Sequence, residues 1–478
     1  MKTLVWFRQD LRVSDNAALF EAAKSGPVLP VFILETPEQS GDEHPLGGAS
    51  HWWLHQSLAA LKSKLPGLVF LRGAARHLIP KLAKENGLES VYWNRCYEPY
   101  AVERDTDLKA ALKDDAVDAR SLNASLLWEP WELETKSGGP FKVYSPFWKA
   151  AQQKDVAPPL PEPDCIEFIE YTKGEELDAL GLLPVKPNWA EGWEDLWQPG
   201  EAGARARLSA FLKSRLDGYG TLRNRPDLPN VSRLSPHLHF GDISPRQVWH
   251  ETQAAMDRNP SLSRDGMKFL SEIAWREFAY HLLYHFPALP SDNWKPAFDA
   301  YPWQESEEDL KRWQKGRTGY PIVDAGMREL WQTGYMHNRV RMIVASFLVK
   351  HLRLHWRHGE AWFRDTLLDA DLANNSAGWQ WVAGSGADAA PYFRIFNPIS
   401  QGEKFDPEGN YVRTWVPELK ALDTEFLFAP FEAPEEALKK AGVVLGETYP
   451  LPMVDHAKAR KAALDGYEAV KQAGQDAA

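Results

Sequence analysis

Residues 369–398 read DADLANNSAGWQWVAGSGADAAPYFRIFNP, and the meaning of the rest of the chain turns on them. The stretch joins two acids (Asp369 and Asp371), an amide pair (Asn374 and Asn375), two tryptophans (Trp379 and Trp381) and many small residues. From 374 to 393 only Asp388 is charged. Small residues let backbone approach closely, amides offer donors and acceptors, and indoles offer faces. This composition suits a wall around a large, flat ligand with polar edges, the alternative being a glycine-rich surface loop.

Upstream segments add matching chemistry. In SEIAWREFAYHLLYHF (271–286), Glu272, Trp275 and Arg276 stand at i, i+3 and i+4 and share one helix face. A carboxyl, an indole and a guanidinium so placed can grip a planar heterocycle; an intrahelical Glu–Arg pair beside a core Trp is the plainer alternative. In GYMHNRVRMIVASFLVKHLRLHWRHG (334–359), Asn338, Arg341, Met342 and Ala345 fall on a common face, with Arg341 a prospective partner for Asp369/Asp371. Residues 336–358 hold five Arg or Lys, four His and no acid, which makes them a local basic face despite a net charge of −11. In NVSRLSPHLHFGDISP (230–245), Ser232 and Ser235 flank Arg233 at a helix start, where hydroxyls and free N–H groups can meet a phosphate. Trp303, Trp356 and Trp379, in separate helical segments, form either an electron-hopping chain or part of an α-domain core. No Ser–His–Asp, Cys–His, HExxH or P-loop signature occurs, so chemistry must come from a cofactor.

The 478 residues imply two or three domains. Arg8 and Asp10 interrupt the apolar start, no stretch reaches the ~20 apolar residues of a membrane helix, and Cys96 and Cys165 lie apart in no metal spacing. A soluble, cytoplasmic protein without a metal site is expected. Apolar runs at 4–7, 28–34, 68–71 and 91–93, with a weaker fifth at 117–122, alternate with helix-like segments near 16–24, 50–64, 75–86 and 102–113. That alternation predicts an α/β domain over 1–130 with a Rossmann-like parallel five-stranded sheet. The dinucleotide glycine fingerprint is missing, because WFRQDLR follows the first strand. Residues 131–200 read as a Pro-rich connector and 201–478 as a large all-α domain.

These segments, in this order, resemble the photolyase/cryptochrome family, and within it the bacterial cyclobutane-pyrimidine-dimer photolyases. The likeness runs from WFRQDLRVSDNAAL (6–19) to FNPISQGEKFDPEGNYVRTWVPEL (396–419). It implies FAD bound in the α-domain, with Tyr219 and the segment Val231, Ser232, Arg233, Leu234 and Ser235 at its phosphates. Asp369, Ala370 and Asp371 would meet the ribityl and adenine side, Arg341 would pair with Asp369, and Asn375 would face flavin N5. Val231 stands where close relatives often have threonine, which removes one hydroxyl contact. A dimer flipped out of ultraviolet-damaged DNA would meet Glu272 at its carbonyl or imide edges, with Trp275 and Trp381 on its rings and Met342 and Asn338 beneath. Arg223, Arg276, Asn338, Arg339, Arg394 and Gln401 would contact DNA or lesion, and Trp379, Trp356 and Trp303 would carry electrons to the flavin. The implied reaction passes an electron from excited reduced flavin to the dimer and back, so the enzyme would be a carbon–carbon lyase with no net redox change.

The resemblance leaves rivals. A (6-4) photoproduct photolyase would place histidines at Asn338 and Met342; a cryptochrome photoreceptor would carry a long polar tail; a dark flavin enzyme would need a catalytic base or nicotinamide motif. An antenna chromophore is expected near residues 46–58 and 94–105, with 5,10-methenyltetrahydrofolate the first choice and 8-hydroxy-5-deazaflavin the second. No membrane partner is expected, and a monomer is.

Overall fold

The structure, a computed structural model, describes residues 1–389 and 393–476. They fall into two compact units. The first comprises Met1–Tyr219, Ser232–Pro287 and Leu368–Ala373, and the second Gly220–Val231, Ala288–Leu367 and Asn374–Ala478.

The first unit is built on five parallel strands: β1 (Thr3–Phe7), β2 (Val28–Leu34), β3 (Val69–Arg72), β4 (Ser90–Asn94) and β5 (Asp118–Leu122), ordered β3-β2-β1-β4-β5. The α/β sheet predicted from the sequence is thus observed. TLVWF and SVYWN are buried along their whole length, as strands covered on both faces must be. β5, DARSL, is a partly exposed edge, which explains its weaker apolar signal. Pro30 sits inside β2 opposite Val5, while pairing with β3 starts only at Val31↔Val69. The missing N–H therefore costs no bond in the β2–β3 ladder. Helices Ala17–Ser25, Gly48–Lys64, Ala75–Asn86 and Pro99–Asp114 make the crossovers, the first capped by the Asn16 side chain accepting from Leu19 N–H. One core unites Leu4, Trp6, Val31, Ile79, Val91, Trp93 and Leu108.

Residues 131–200 hold little regular structure, but they pair with the sheet through isolated bridges Val28↔Phe168 and Phe70↔Glu175. They also contribute a helix, Tyr144–Ala151. At the end of this stretch Gly200 N–H donates to the buried Asp242 carboxylate (3.0 Å), which also accepts from Trp53 Nε1 (3.1 Å) and meets His237 Nδ1 (2.9 Å).

The second unit contains helices Pro321–Thr333, Asn338–Ser346, Trp356–Thr366 and His456–Asp476 and most of Leu372–Ala383; helix Asn338–Ser346 passes into a wider π turn, Phe347–His351. Among its described residues there is no strand. Its buried Asp324 is satisfied by Thr318 N and Oγ1 (both 2.7 Å), Gly319 N (3.1 Å) and Tyr449 OH (2.7 Å).

Gly241 occupies left-handed backbone (φ +69°), and a Cβ there would lie 2.2 Å from the Gln9 carbonyl oxygen. Gly241→Ala is expected to lower stability by about 2–4 kcal/mol, from strained φ and overpacking. A denaturant midpoint unchanged from wild type would show that this close approach does not constrain the fold.

Candidate functional site

In the first unit the long helix Ser263–His285 presents Glu272, Trp275, Arg276 and Tyr280 at helical spacing. Glu272 pairs with Lys268 one turn back (2.7 Å) and keeps part of its surface open. Trp275 is half-buried. Arg276, expected to contact DNA or lesion, is largely withdrawn from solvent. Its side chain is 12 % exposed, donates to Ser125 O (2.9 Å) and Glu277 Oε1 (3.2 Å), and stacks over Tyr280 (4.8 Å). A guanidinium so committed would have to abandon those partners to reach a phosphate.

Tyr280 OH donates to Asp371, which His239 Nδ1 also approaches (3.7 Å). Burial alone would raise the Asp371 carboxyl, but His239, Arg276 and Tyr280 together hold it well below its usual range, so it stays ionised. Asp371 and its neighbour Asp369 are both buried. Sequence reasoning missed Tyr280 and His239; Tyr280 was legible, standing two helical turns after Glu272 on the same face. In the segment before the short helix Ser235–His239, the Ser232 hydroxyl accepts from Leu234 N–H (3.4 Å). Arg233 adopts φ +53°, a strained conformation for a non-glycine residue of the sort that collects at ligand sites. Its guanidinium lies 5.9 Å from the Trp197 ring, and Tyr219 is buried against Phe211 and Phe269.

In the second unit, helix Leu372–Ala383 carries the amides. Asn375 Nδ2 donates to both the backbone carbonyl (3.1 Å) and Oε1 (2.8 Å) of Glu360. Glu360 was absent from the sequence reading. One turn along, Gly378 is exposed, and no atom lies within 4 Å of where its Cβ would be. Asn374, Asn375 and Gly378 therefore form an open strip of amide groups and bare backbone. Buried beside them, Ser376 Oγ and Trp379 Nε1 find no hydrogen-bond partner among the described residues. A flat, polar-edged ring system such as a flavin fits this strip.

The three tryptophans of the expected electron chain run from inside to outside. Trp379 and Trp356 are buried and Trp303 is half-buried. Trp356 Nε1 donates to Asn293 (2.9 Å), and His355 links the outer pair, 5.6 Å from Trp356 and 4.8 Å from Trp303. Gln380, between the two tryptophans of the WQW run, fixes the 289–294 loop through Leu289 O, Asp292 O and Trp294 N. Trp381 is half-buried.

The basic stretch 336–358 is not one solvated face. Lys350 is 1 % exposed, its ammonium donating to Ala383 O and resting 3.2 Å from the Phe393 ring centroid; burial pulls its pKa far below the lysine range. Burial likewise lowers His351 to about 3 and His355 to about 4, so both are neutral at physiological pH. The accessible charge is instead an arginine group. Arg339 donates to Asn224 (2.7 Å) and lies against Met342 and Phe405, while burial, Arg223 and Arg394 all lower its pKa. Arg394 and Asn338 are exposed, and Met342 and Gln401 are half-buried. Arg341 Nε donates to Met336 O (2.8 Å), with its guanidinium over Tyr335.

Residues 3–164 match the DNA photolyase family, and residues 269–469 match the FAD binding domain of DNA photolyase. A deoxyribodipyrimidine photo-lyase of Agrobacterium fabrum is 54% identical over 476 residues, with 98% of each chain covered. This chain belongs to the photolyase/cryptochrome family. A crystal structure of a bacterial class III photolyase from Agrobacterium tumefaciens superposes with a TM-score of 0.95 at 54% identity, again covering 98% of each chain. Cryptochrome-1 of Arabidopsis thaliana is 39% identical, over 96% of this chain and 69% of its own length.

The Trp379 indole packs so closely on Gly359 that a Cβ there would fall 2.0 Å from it. Gly359→Ala is expected to displace the indole and slow photoreduction of bound flavin severalfold, while repair by chemically pre-reduced protein changes little. Equal photoreduction rates would remove Trp379 from the electron path.

Proposed function

We propose that the chain repairs cyclobutane pyrimidine dimers in DNA as a light-driven carbon–carbon lyase. The observation that carries this reading is the open Asn374–Asn375–Gly378 strip beside buried Trp379, in a chain 54% identical to a deoxyribodipyrimidine photo-lyase. When bound, FAD supplies the light-absorbing ring and the electron that opens the cyclobutane. Every other task falls to side chains.

Tyr219, Ser232, Arg233 and Ser235 hold the cofactor's phosphates, with Val231 and Leu234 supplying backbone contacts. Asp371, kept anionic by His239, Arg276 and Tyr280, accepts hydrogen bonds from the ribityl and adenine side together with Asp369 and the Ala370 backbone. Asn375, its amide nitrogen already spent on Glu360, offers a carbonyl oxygen as acceptor at N5. Trp379, Trp356 and Trp303 deliver electrons from the surface.

On the lesion, Glu272 exchanges Lys268 for the imide edge of the pyrimidine, its carboxylate accepting from the N–H. Trp275 and Trp381 pack on the rings, with Met342 and Asn338 beneath. Neither of these last two can transfer a proton, which favours the cyclobutane dimer over the (6-4) photoproduct. Arg223, Arg339 and Arg394 meet phosphates, and Gln401 supports the backbone beside them. The mutual repulsion of these guanidiniums is relieved when a polyanion arrives.

For the antenna, the crevice where strand order reverses between β1 and β4 is already filled. Arg8 forks onto Asp105 (2.9 Å to each oxygen), Arg104 onto Glu35 (2.7 Å), and both guanidiniums cover Trp6 at about 4.5 Å. An antenna chromophore would lie near residues 46–58 and 94–105, where the resemblance expects it, with the crevice pairs left in place. Methenyltetrahydrofolate is preferred and a deazaflavin is second, a choice that the absorption spectrum of the purified protein decides.

Blue light on the fully reduced protein is expected to restore monomeric thymines in ultraviolet-irradiated DNA, with no repair in the dark. Light-dependent flavin chemistry without repair would assign the chain to photoreception instead. Glu272→Ala should cut repair roughly tenfold or more, the worth of one charge-assisted hydrogen bond, with flavin content unchanged. Arg339→Ala and Arg394→Ala should each reduce the slope of log affinity against log salt by about one, equally for damaged and undamaged DNA. A slope that stays at the wild-type value would take that arginine off the DNA.

A further inference from the structure

The helix Tyr144–Ala151 belongs to the stretch that the sequence marks as a mere connector, yet its first residue lies flat on Trp275. The Tyr144 and Trp275 rings stack with centroids 3.6 Å apart and an interplanar angle of 8°. Tyr144 is 7 % exposed, whereas Trp275 retains open surface. The Tyr144 hydroxyl is anchored by donating to Ser271 O (2.5 Å), with Ser271 Oγ at 3.3 Å, one turn before Trp275 on the same helix. Phe278 closes the edges, T-shaped to both rings at 5.9 Å, and Phe147 backs Phe278 at 5.2 Å. Burial and the nearby Glu272 charge push the Tyr144 phenol above its usual range, so it stays a neutral donor.

We propose that Tyr144 is a positioning residue for lesion recognition: it occupies one face of the Trp275 indole and presents the opposite face, pre-oriented, to a single pyrimidine ring. This deepens the proposed function and rests on Trp275 being a lesion contact. A half-exposed indole on a helix surface has rotamer freedom, and ordering it on binding costs affinity. Stacking on a phenol that is itself tied to the same helix removes that freedom beforehand. Flat aromatic contact also discriminates, because an unstacked, extruded dimer has free ring faces whereas paired bases in a duplex do not. The phenol thus acts through the indole and touches no reacting atom.

The test uses the full-length protein loaded with FAD and compares Tyr144→Phe, Tyr144→Leu, Tyr144→Met and Trp275→Ala. The readout is the ratio of affinities for dimer-containing and undamaged duplex, alongside flavin content and thermal midpoint. Tyr144→Phe keeps the stack and should hold the ratio within about twofold. Tyr144→Leu and Tyr144→Met fill the space without a planar face and should lower it about five- to tenfold, the value of one aromatic contact, with flavin content intact. Methionine, closer in length to the lost ring, serves if the leucine variant does not fold. A wild-type ratio in Tyr144→Met beside a collapsed ratio in Trp275→Ala would overturn the inference alone, leaving Tyr144 as core packing. A wild-type ratio in Trp275→Ala would overturn the lesion role of Trp275, and the inference with it.

Discussion

A single buried carboxylate organises the first unit. Asp242 is fully buried, and a carboxyl removed from water needs hydrogen-bond partners, which here gather on its Oδ2. The donors come from three distant parts of the chain: Trp53 in helix Gly48–Lys64, the Gly200 backbone, and His237 in helix Ser235–His239. A carboxylate only accepts, so the facing His237 Nδ1 must carry the proton. One residue earlier, the Gly241 carbonyl is held by Arg12 from the loop after β1 (2.9 Å). These bonds lock the 232–235 segment, two residues before His237, to the sheet domain. A segment with Arg233 in strained backbone can be kept only by surroundings that over-determine it, and the Asp242 cluster supplies them.

How much of this was legible depended on the kind of signal. Strands β1 to β4 could be read because their mostly buried positions demand continuous apolar runs, whereas DARSL, a partly exposed edge strand, carries little such demand. The helix face of Glu272, Trp275 and Tyr280 was legible from spacing. Spacing gives a face, however, and not the partner: Arg276 shares that arc, yet its guanidinium is taken by Ser125 and Glu277. Composition misled most at 336–358, where absence of acids suggested a solvated basic face. Burial, which composition does not report, hides Lys350 and neutralises His351 and His355. Tyr144 was invisible for a related reason, since a stretch without periodicity says nothing about which of its aromatics finds a partner more than a hundred residues on.

The contrast between a net charge of −11 and a nucleic-acid substrate resolves locally. Beyond about 8–10 Å, screening at physiological salt weakens the protein's overall field. What a phosphate feels at contact is the immediate set of guanidiniums, and Arg223 and Arg394 are close enough to Arg339 to oppose its protonation. Such crowding destabilises the free protein slightly, and it persists where an anion repays it. Within the sheet domain, buried acids such as Asp105 and Glu35 are neutralised by Arg8 and Arg104 and help to hold the domain together.

Asn375 shows how a buried neighbour can decide the chemistry of a site residue. The oxygen and nitrogen of an amide are hard to tell apart by shape, so orientation must be argued from partners. One partner here is the Glu360 backbone carbonyl, which can only accept, and that alone turns Nδ2 toward Glu360. The second bond, to Glu360 Oε1, uses the other N–H. Both donors are then spent, and the remaining function is an acceptor. An acceptor favours a ring nitrogen that carries a proton over one that does not. Burial raises the Glu360 pKa, and Arg364 and Asn375 pull it back. The residue that sets the polarity of the amide is thus itself poised by burial, and the Asn375–Glu360 pair acts as one device.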